Sequence, residues 1–401
     1  MIEIREVKTR REQKQFVRLP LQIYRQDPAW VPPLELERLE FLDRHQHPFY
    51  RHGEATAYLA LDGGHVVGRV LVSDDPLYNA RHQENLGGFG MFECMNDLST
   101  AKALLGAAEI WLAGRGRDRL RGPMDFSLNY QCGLLVDGFD TPPRILMNHN
   151  PPYYGQLIEA CGLAKAKDFF AYWFTGSHDL TVEWRKRAER LAASKVVIRS
   201  ANRANMIAEF RRCAPIFNEA WNRNWGASPM TDAEFEFFGK TLKHFARPEL
   251  LLAAEIDGQP VGFAMTLPDI NEALKPVGGR LFHWGLPIGL IRLLMGLKRI
   301  KTARLVALGI LDAYRGRGIA ELLILRSFQV FRELGYENAE LSWTLEDNRL
   351  INRAIDAAGG KRYKTYRMYE KALTPFSPAA GARGNDGLTN HFGSTSGFGL
   401  G

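Results

Sequence analysis

The chain has 401 residues, of which 45% are hydrophobic and 24% are charged, which is typical of a globular protein with more than one domain. Lysine and arginine outnumber aspartate and glutamate, 52 to 45, so the net charge of +7 favours an anionic partner such as nucleic acid, an anionic membrane surface or a polyphosphate cofactor. The four cysteines are widely spaced and form no C-x-x-C pair, which argues against a disulfide framework and against a metal site. The first residues are charged and lack an apolar core, so the sequence predicts a cytoplasmic protein.

Features of the first half recur in the same order in the second half. Strand-like segments at 2–7 and 196–200 are followed by apolar runs around a tight turn at 59–72 and 251–267, the latter with the hairpin signal Asp257-Gly258. An Asn, a helical stretch and a Gly then precede an aromatic strand in each half. The offset is roughly 195 residues, which predicts two copies of one α/β fold, with chance similarity of α/β segments as the alternative.

The recurring order predicts the domain organisation of the chain. We expect a first module at 1–182, a charged linker at 183–195, a second module at 196–373 and a disordered tail rich in Gly, Ser and Pro at 374–401. Strands alternate with helices in both modules, which predicts a mixed sheet flanked by helices.

The strongest local motif is a strand, a glycine-containing turn and a helix start. The apolar strand 305–311 runs into the turn 312–320, and a helix patterned to pack on a sheet follows. Backbone N–H groups converge at such a helix start and the helix dipole adds positive potential, so the turn suits phosphate. The Gly-Lys-Ser/Thr of a Walker A loop is absent, and Glu321 stands where a dinucleotide fingerprint has its third glycine. A purely structural turn is the alternative.

The spacing Arg315-x-x-Gly318-x-Ala320 matches the R/Q-x-x-G-x-G/A loop of the GNAT acyltransferases, and the second module resembles that family over its whole length. An Asn before a helix that ends in Gly-Gly is similar to the end segment of the family. The resemblance implies two GNAT-like modules, each with a mixed and mostly antiparallel sheet, and acyl-CoA or acetyl-CoA as co-substrate without a metal. It assigns CoA binding to Ile310, Leu311, Arg315, Gly316, Arg317, Gly318, Ile319, Ala320 and Asn348.

Acyl transfer to an amine needs a group that accepts the amine proton. Glu340, in the strand that follows the phosphate-loop helix, and Glu346, at the end of that strand, are the candidate bases, and solvated surface acids are the alternative interpretation. The family often has a Tyr seven residues after the Asn as an acid toward the thiolate, where this chain has Ile355. Tyr314 or Tyr366 is therefore the candidate acid, or the thiolate leaves without one.

The first module lacks the phosphate-loop motif. Asp97 stands in the corresponding turn, so we expect this module to bind no CoA. His149 is a candidate base or substrate contact across a domain cleft, with a loop role before Pro-Pro as the alternative. Trp221, Asn224 and Trp225 lie where GNAT proteins commonly hold their acceptor, although the indoles would serve equally well as packing.

An apolar insertion, Leu281–Leu297, precedes a basic stretch and is too short to cross a bilayer. Residues 281–301 suit an interfacial helix in peripheral membrane contact at the inner face of the membrane, or a lid over an acyl chain; a core helix is the alternative.

The two-module layout resembles bacterial tandem GNAT proteins of the ceramide-synthase-like group. That resemblance implies an acyl-CoA-dependent N-acyltransferase acting on a small-molecule or lipid-like, sphingoid amine. An aminoacyl or peptidyl transferase that uses charged tRNA and a non-catalytic CoA-binding protein are the alternatives. We expect no nucleic-acid partner, because the basic residues are interspersed with acids.

Overall fold

The computed structural model describes residues 1–175, 186 and 195–374. The strands are β1 (Glu3–Glu6), β2 (Glu54–Asp62), β3 (His65–Asp74), β4 (Leu86–Cys94), β5 (Arg119–Gly122), β6 (Leu134–Asp137), β7 (Ala164–Thr175), β8 (Val197–Ser200), β9 (Leu251–Ile256), β10 (Gln259–Pro268), β11 (Thr302–Ile310), β12 (Asn338–Leu345) and β13 (Lys361–Ala372). The helices are α1 (Arg10–Arg18), α2 (Pro20–Ile23), α3 (Glu35–Phe41), α4 (Pro76–His82), α5 (Leu98–Ala113), α6 (Tyr154–Ala160), α7 (Met206–Trp221), α8 (Asp232–Leu242), α9 (Asn271–Leu274), α10 (Ile288–Leu297), α11 (Ile319–Glu333) and α12 (Arg349–Ala357). Most of the predicted linker and nearly all of the predicted tail lie outside the described residues, so the domain limits stay a prediction.

All of the strands belong to one 13-stranded sheet with the order β1-β2-β3-β4-β5-β13-β7-β12-β11-β10-β9-β8, and β6 also pairs with β13. Most neighbours are antiparallel; β4 with β5 and β11 with β12 are the parallel pairs. The predicted mixed, mostly antiparallel sheet flanked by helices is confirmed.

The last strand of each half sits in the sheet of the other half. β13, at the end of the second half, pairs with β5 of the first, while β7, at the end of the first half, pairs with β12 of the second. β7 and β13 also pair with each other, antiparallel, at the centre of the sheet. The two halves therefore share their central strands, which the internal repeat did not indicate.

The hairpin between β9 and β10 turns as its sequence predicts. Asp257 and Gly258 have φ values of 51° and 76°, so both occupy the left-handed region that a two-residue hairpin turn requires. The corresponding β2–β3 hairpin turns at Gly63 and Gly64, which also have positive φ values.

The parallel strands β11 and β12 separate toward their carboxyl ends. Their pairing runs from Thr302 opposite Asn338 to Leu305 opposite Leu341, and β11 then continues to Ile310 without β12. Val306 lies at a bulge, since Met265 faces Ala307 while Thr266 faces Leu305. Helix α7 packs against Ala307 on one face of the sheet, and α11 packs beside Leu308 on the other. The result is a V-shaped opening between β11 and β12.

The insertion between β10 and β11 lies on the outside of the molecule. Its residues form a tight turn at 283–286 and then the ten-residue helix α10. Large apolar side chains of this segment are more than half exposed: Phe282, Trp284, Leu286, Ile291, Leu294 and Met295. The interpretation as a core helix is therefore wrong. Among the described residues, every helix is too short or too polar to cross a membrane.

Candidate active site

The turn before α11 presents backbone N–H groups at an uncapped helix start. Gly316 and Gly318 have φ values of 75° and 80°, which only glycine adopts readily. Gly318 precedes the helix, and no side chain within the described part of the chain caps this end. The N–H groups of the first helical turn have no acceptor inside the helix, so they remain available to an anion. The exposed guanidinium of Arg317, 5.0 Å above the Tyr314 ring, adds positive charge.

Contacts with α7 hold this turn in place. The Glu219 carboxylate accepts the Asp312 N–H at 2.9 Å, and Arg315 donates to the Ala220 carbonyl at 2.8 Å. Arg315 also pairs with Asp312 at 3.0 Å. Arg315 is therefore engaged with the protein and fixes the turn, while Arg317 is the more accessible cation.

Trp221 lies against the strand that forms one side of the opening. A Cβ on Gly309 would stand 2.7 Å from the Trp221 ring, so glycine is required for this close approach. The Trp221 ring also stacks on Phe217, with 4.6 Å between centroids. Trp221 thus packs on the sheet face over β10 and β11, next to Gly309, and the predicted CoA contacts Ile310 and Leu311 follow this glycine in the sequence.

Trp225 contacts a different part of the molecule. The Arg121 guanidinium lies 4.7 Å above its ring, and the Phe169 ring is 6.2 Å away. The Asn224 N–H donates to the Trp221 carbonyl at 2.8 Å and continues the turn after α7. The structure therefore separates the two indoles, with Trp221 on the face of β10 and β11 and Trp225 at the junction with the first half.

Glu340 belongs to a buried polar network where β11 and β12 separate. Its carboxylate is fully buried and accepts hydrogen bonds from the hydroxyls of Tyr363 and Ser342. The Arg304 guanidinium lies 3.2 Å from the carboxylate and donates to the Ser342 hydroxyl at 2.7 Å. The surface-acid interpretation of Glu340 is therefore wrong. Burial and the neighbouring Glu340 carboxylate raise the pKa of Tyr363, so this phenol stays protonated and donates.

A segment of the first half covers this network. Arg304 donates to the Ile145 carbonyl at 2.5 Å, and the Ile145 N–H donates to the buried carboxylate of Asp269 at 2.8 Å. Arg144 pairs with Asp269 at 3.2 Å and lies over the Trp173 ring. Burial raises the pKa of Asp269 to about 6. The first half thus closes one side of the site in the second half.

Three comparisons with known proteins show the family and the fold of the chain. Residues 210–355 match the model of the Acetyltransferase (GNAT) family. The chain is 38% identical over 374 residues to a protein named bacterial ceramide synthase from Caulobacter vibrioides, covering 92% of this chain and 96% of the relative. It belongs to the tandem GNAT acyltransferases of this bacterial ceramide-synthase-like group. Protein YghO of Escherichia coli is 37% identical over 367 residues, covering 90% of this chain and 93% of that protein.

Solved structures share the fold of this tandem GNAT acyltransferase. A tandem GNAT protein from the clavulanic acid biosynthesis pathway has a TM-score of 0.56 at 13% identity, covering 94% of this chain and 100% of that one. A GCN5-related N-acetyltransferase from Sphaerobacter thermophilus has a TM-score of 0.52 at 16% identity, covering 93% and 96%.

Of the other predicted acid–base positions of the GNAT module, Glu346 and Ile355 lie apart from the Glu340 network, while burial and, after it, the nearby Glu340 carboxylate raise the pKa of Tyr366. Glu346 is half-buried, pairs with Lys165 at 2.7 Å and accepts the Asp168 N–H at 3.1 Å. Ile355, at the position where the family often has Tyr, is buried in the hydrophobic core. Tyr366 is completely buried, and its hydroxyl has no hydrogen-bond partner among the residues that the structure describes.

Tyr314 and Asn348, also predicted as site residues, lie in different elements of the second half. Tyr314 ends the short turn Asp312–Tyr314 and lies under Arg317. Asn348 caps α12, with its side-chain oxygen accepting the Ile351 N–H at 3.4 Å. Its side chain is thus already committed to starting the helix.

His149 lies in the first half and forms a pair with Asp27, Nε2 to Oδ2 at 2.7 Å. Its side chain is 2% exposed, and its Nδ1 has no partner within the described ranges. Burial lowers the pKa of His149, although Asp27 opposes that effect. The backbone carbonyl of His149 accepts from Tyr24 at 3.1 Å, so this histidine is built into the first-half core.

In the first half, a carboxylate caps the start of α5, the helix that corresponds to α11 of the second half. The Asp97 carboxylate caps α5 and accepts from the Thr100 N–H at 2.8 Å and the Ser99 hydroxyl at 2.6 Å, and these bonds lower its pKa to about 2. A carboxylate therefore stands where the second half leaves a helix start open.

No group of three His, Cys, Asp or Glu side chains within the described ranges could hold a metal ion.

Sequence reasoning missed Arg304, Ser342 and Tyr363 as members of the site. Arg304 interrupts the apolar strand Thr302–Ile310, and Glu340 stands opposite it in the neighbouring strand. A lone charged residue in such a strand indicates a buried partner, and that signal was present in the sequence.

Proposed function

We propose that the chain transfers an acyl group from acyl-CoA to an amine, and that this acceptor is a lipid-like, sphingoid amine. The observation that carries the proposal is the uncapped helix start before Ile319. It follows β11, which forms one side of the opening, and the buried carboxylate network of Glu340 lies where β11 and β12 separate. The similarity to a protein named bacterial ceramide synthase supports the lipid-like acceptor.

The second half alone would hold the CoA moiety. The backbone N–H groups from Arg315 to Ala320 and the guanidinium of Arg317 suit the pyrophosphate, because both are positive and face an open turn. The edge of β11 beyond Leu305 has lost its β12 partner, so it suits the amide groups of pantetheine. Ile310 and Leu311 at the end of that edge complete the proposed contacts.

The thioester of acyl-CoA supplies the carbonyl carbon that the amine attacks. N–H groups on the free edge of β11, near the bulge at Val306, are placed to stabilise the oxyanion that develops there. Arg304 donates a hydrogen bond to the Ser342 hydroxyl and supplies a fixed positive charge beside it. The protein groups thus stabilise charge on one side of the opening.

We assign proton removal to Glu340, acting through Ser342. The Ser342 hydroxyl accepts one hydrogen bond from Arg304 and donates to Glu340, which leaves its second lone pair for the N–H of an incoming amine. The amine proton passes to the Ser342 oxygen as the hydroxyl proton passes to the carboxylate, so Ser342 ends neutral and Glu340 protonated. Glu346 pairs with Lys165 and has no part in this relay.

A lipid-like acceptor would reach the enzyme from a membrane. The exposed apolar side chains of residues 281–301 and the neighbouring cations Arg292, Lys298 and Arg299 suit peripheral contact with the inner face of an anionic membrane. The half-buried Trp221 beside the opening suits an apolar chain of the acyl group or the acceptor.

Thiol release tests the proposal. The protein is mixed with acetyl-, medium- and long-chain acyl-CoA and with amines that include sphinganine and amino acids. We expect release that depends on the sphingoid amine and yields an N-acyl product by mass spectrometry. Turnover with amino acids but not with sphinganine would contradict the lipid-like acceptor, and release without any N-acyl product would contradict amine acylation.

The relay has its own test. Ser342→Ala should lower turnover by about tenfold to a hundredfold at unchanged CoA affinity, because the hydroxyl bridge to Glu340 is lost. Thr365→Ala is the matched control, since Thr365 is a buried hydroxyl on the nearby strand β13. If Ser342→Ala turns over as fast as Thr365→Ala does, Ser342 has no part in the mechanism.

A further inference from the structure

The tight turn at the tip of the insertion presents a tryptophan to solvent. His283 and Leu286 exchange two backbone hydrogen bonds of 2.9 Å, and between them Trp284 and Gly285 have φ values of 49° and 80°. Such turns favour Asn-Gly, because a bulky residue is disfavoured at positive φ. Trp284 is nevertheless 94% exposed, and within the described ranges its ring meets the neighbouring His283 ring edge-on at 6.4 Å between centroids, so little packing there offsets its unfavourable conformation. An external contact of the indole would explain its presence.

The first half carries a basic groove of about 650 Å³. Its cationic lining comes from one face of α1: Arg10, Arg11, Lys14 and Arg18. The hairpin residues Gly64 and His65 form the opposite wall. A groove of this size with several cations suits a phosphate-bearing headgroup.

Glu35 joins the groove to the apolar insertion. Its carboxylate pairs with Arg18 of the groove at 2.7 Å and with Arg280, at the start of the insertion, at 3.5 Å. The Glu35 N–H also donates to the Gly279 carbonyl at 2.9 Å. The adjacent Leu36 is 59% exposed and adds an apolar side chain at this junction. Glu35 therefore links the basic groove of the first half to the start of the insertion in the second half.

We propose that the groove of α1 and the Trp284 turn form one docking surface for an anionic phospholipid bilayer. The indole enters the headgroup region, where tryptophan is favoured, while the α1 cations bind lipid phosphates. A bilayer fits better than a protein partner because the cations flank a protruding apolar tip, as in interfacial anchors. The inference rests on the proposed function in that it extends the membrane contact proposed there for residues 281–301 to the groove of α1.

Sedimentation of the full chain with vesicles tests the apolar contribution. Binding to phosphatidylcholine vesicles that contain phosphatidylglycerol is compared between the wild type and Trp284→Asn. We expect at least about tenfold weaker binding for the variant, with no loss of thermal stability, since Asn suits the turn. Ile110→Asn on α5 removes another apolar side chain, 71% exposed, and should bind as the wild type does.

The basic contribution is tested by Arg11→Gln with Lys14→Gln. Each lost cation should weaken binding to the anionic vesicles about fivefold. Lys102→Gln, an exposed lysine on α5, is the control. The proposal is overturned if the wild type binds equally well to vesicles with and without phosphatidylglycerol. It is also overturned if either the groove variant or Trp284→Asn binds as tightly as the wild type.

Two more measurements distinguish a bilayer from a free anion and from a second protein chain. If inorganic phosphate at the lipid phosphate concentration displaces the protein from vesicles, the groove is a free-phosphate site and the proposal is wrong. If Trp284→Asn abolishes self-association in a sizing experiment while vesicles are not bound, the turn is a protein interface and the proposal is again wrong. CoA affinity and acetyl-CoA turnover, measured without vesicles, report separately on the proposed function.

Discussion

The Met124 N–H donates a hydrogen bond of 2.7 Å to the Phe89 carbonyl, across the gap where β4 and β5 separate. Beside it, the Asp125 carboxylate accepts the Met91 N–H at 3.0 Å. The first half thus fills its own opening with backbone and a carboxylate, at the position that corresponds to the open side of β11 in the second half. That the first half binds no CoA stays a prediction, and the filled gap and the Asp97 cap are the two features that favour it.

Gly90→Ala tests how tightly this gap is filled. A Cβ at Gly90 would stand 2.2 Å from the Met124 carbonyl oxygen, so the backbone must move. We expect the free energy of unfolding to fall by about 1 to 3 kcal/mol, as in other overpacked cores. Gly106→Ala in α5 is the control: its Cβ meets no atom within 4 Å, and it should gain about 0.5 to 1 kcal/mol. Denaturant titration of both variants checks the sign, and an unchanged midpoint for Gly90→Ala would contradict a filled gap.

Gly318→Glu should abolish most of the CoA affinity of the second half. The new carboxylate would stand at the uncapped start of α11, so we expect binding to weaken tenfold or more, about 1.4 kcal/mol, by calorimetry. Gly335→Glu is a matched control, because Gly335 follows the other end of the same helix with a similar φ of 78°. Equal CoA affinity in a folded Gly318→Glu protein would place the phosphate elsewhere.

Glu340→Gln should lower turnover by about a hundredfold or more, the usual size of general-base assistance, while CoA affinity stays the same. Glu93→Gln is the control for disturbing a buried carboxylate, because Glu93 accepts from the Tyr24 and Tyr154 hydroxyls at 2.8 Å in the first half. Glu346→Gln should also remain active, since Glu346 is engaged with Lys165. Full activity of Glu340→Gln in a steady-state assay would exclude this residue as the base.

Asp269 should make stability depend on pH. Burial raises its pKa from 3.8 to about 6 in the folded protein, so the folded state binds the proton more tightly than the unfolded state does. The free energy of unfolding should therefore fall as pH rises from about 4 to 6, by about 3 kcal/mol at most, and stay lowered above that range.

Asp269→Asn removes this titration. The variant should lose a constant amount of stability, because Arg144 loses its buried partner Asp269 and keeps only the longer contact of 3.9 Å to Glu272 among the described residues, but it should lack the fall between about pH 4 and 6 that we expect for the wild type. Urea titrations of both proteins across this range give the difference. Parallel pH profiles would show that Asp269 has no raised pKa.

Local chemistry made several elements predictable. The Asp257-Gly258 turn follows from the left-handed region that these residues tolerate, and the turn before α11 follows from its glycines and from the helix pattern after it. The exposed insertion could be predicted only in part. The sequence shows its apolar run, but only the structure shows that the side chains face solvent.

The burial of Glu340 could not be predicted in the same way. Glu-Leu-Ser-Trp-Thr alternates as in a strand with one wet face, yet Tyr363, Arg304 and the Ile145 carbonyl cover its polar face from distant parts of the chain. The exchange of β7 and β13 was hidden for the same reason, because periodicity identifies a strand but not its neighbour. Only the pairing itself shows which strands meet.

The exchanged strands affect how the protein can be made. Arg121 of β5 pairs with Glu370 of β13 at 2.7 Å, although 249 residues separate them. During synthesis the edge of β5 emerges long before β13, and an open edge is prone to pair with other chains. The sheet of the first half therefore cannot be completed until Lys361–Ala372 of β13 has been made and has left the ribosome. We expect a chaperone that shields the β5 edge to matter more for this chain than for a tandem protein in which each half closes its own sheet.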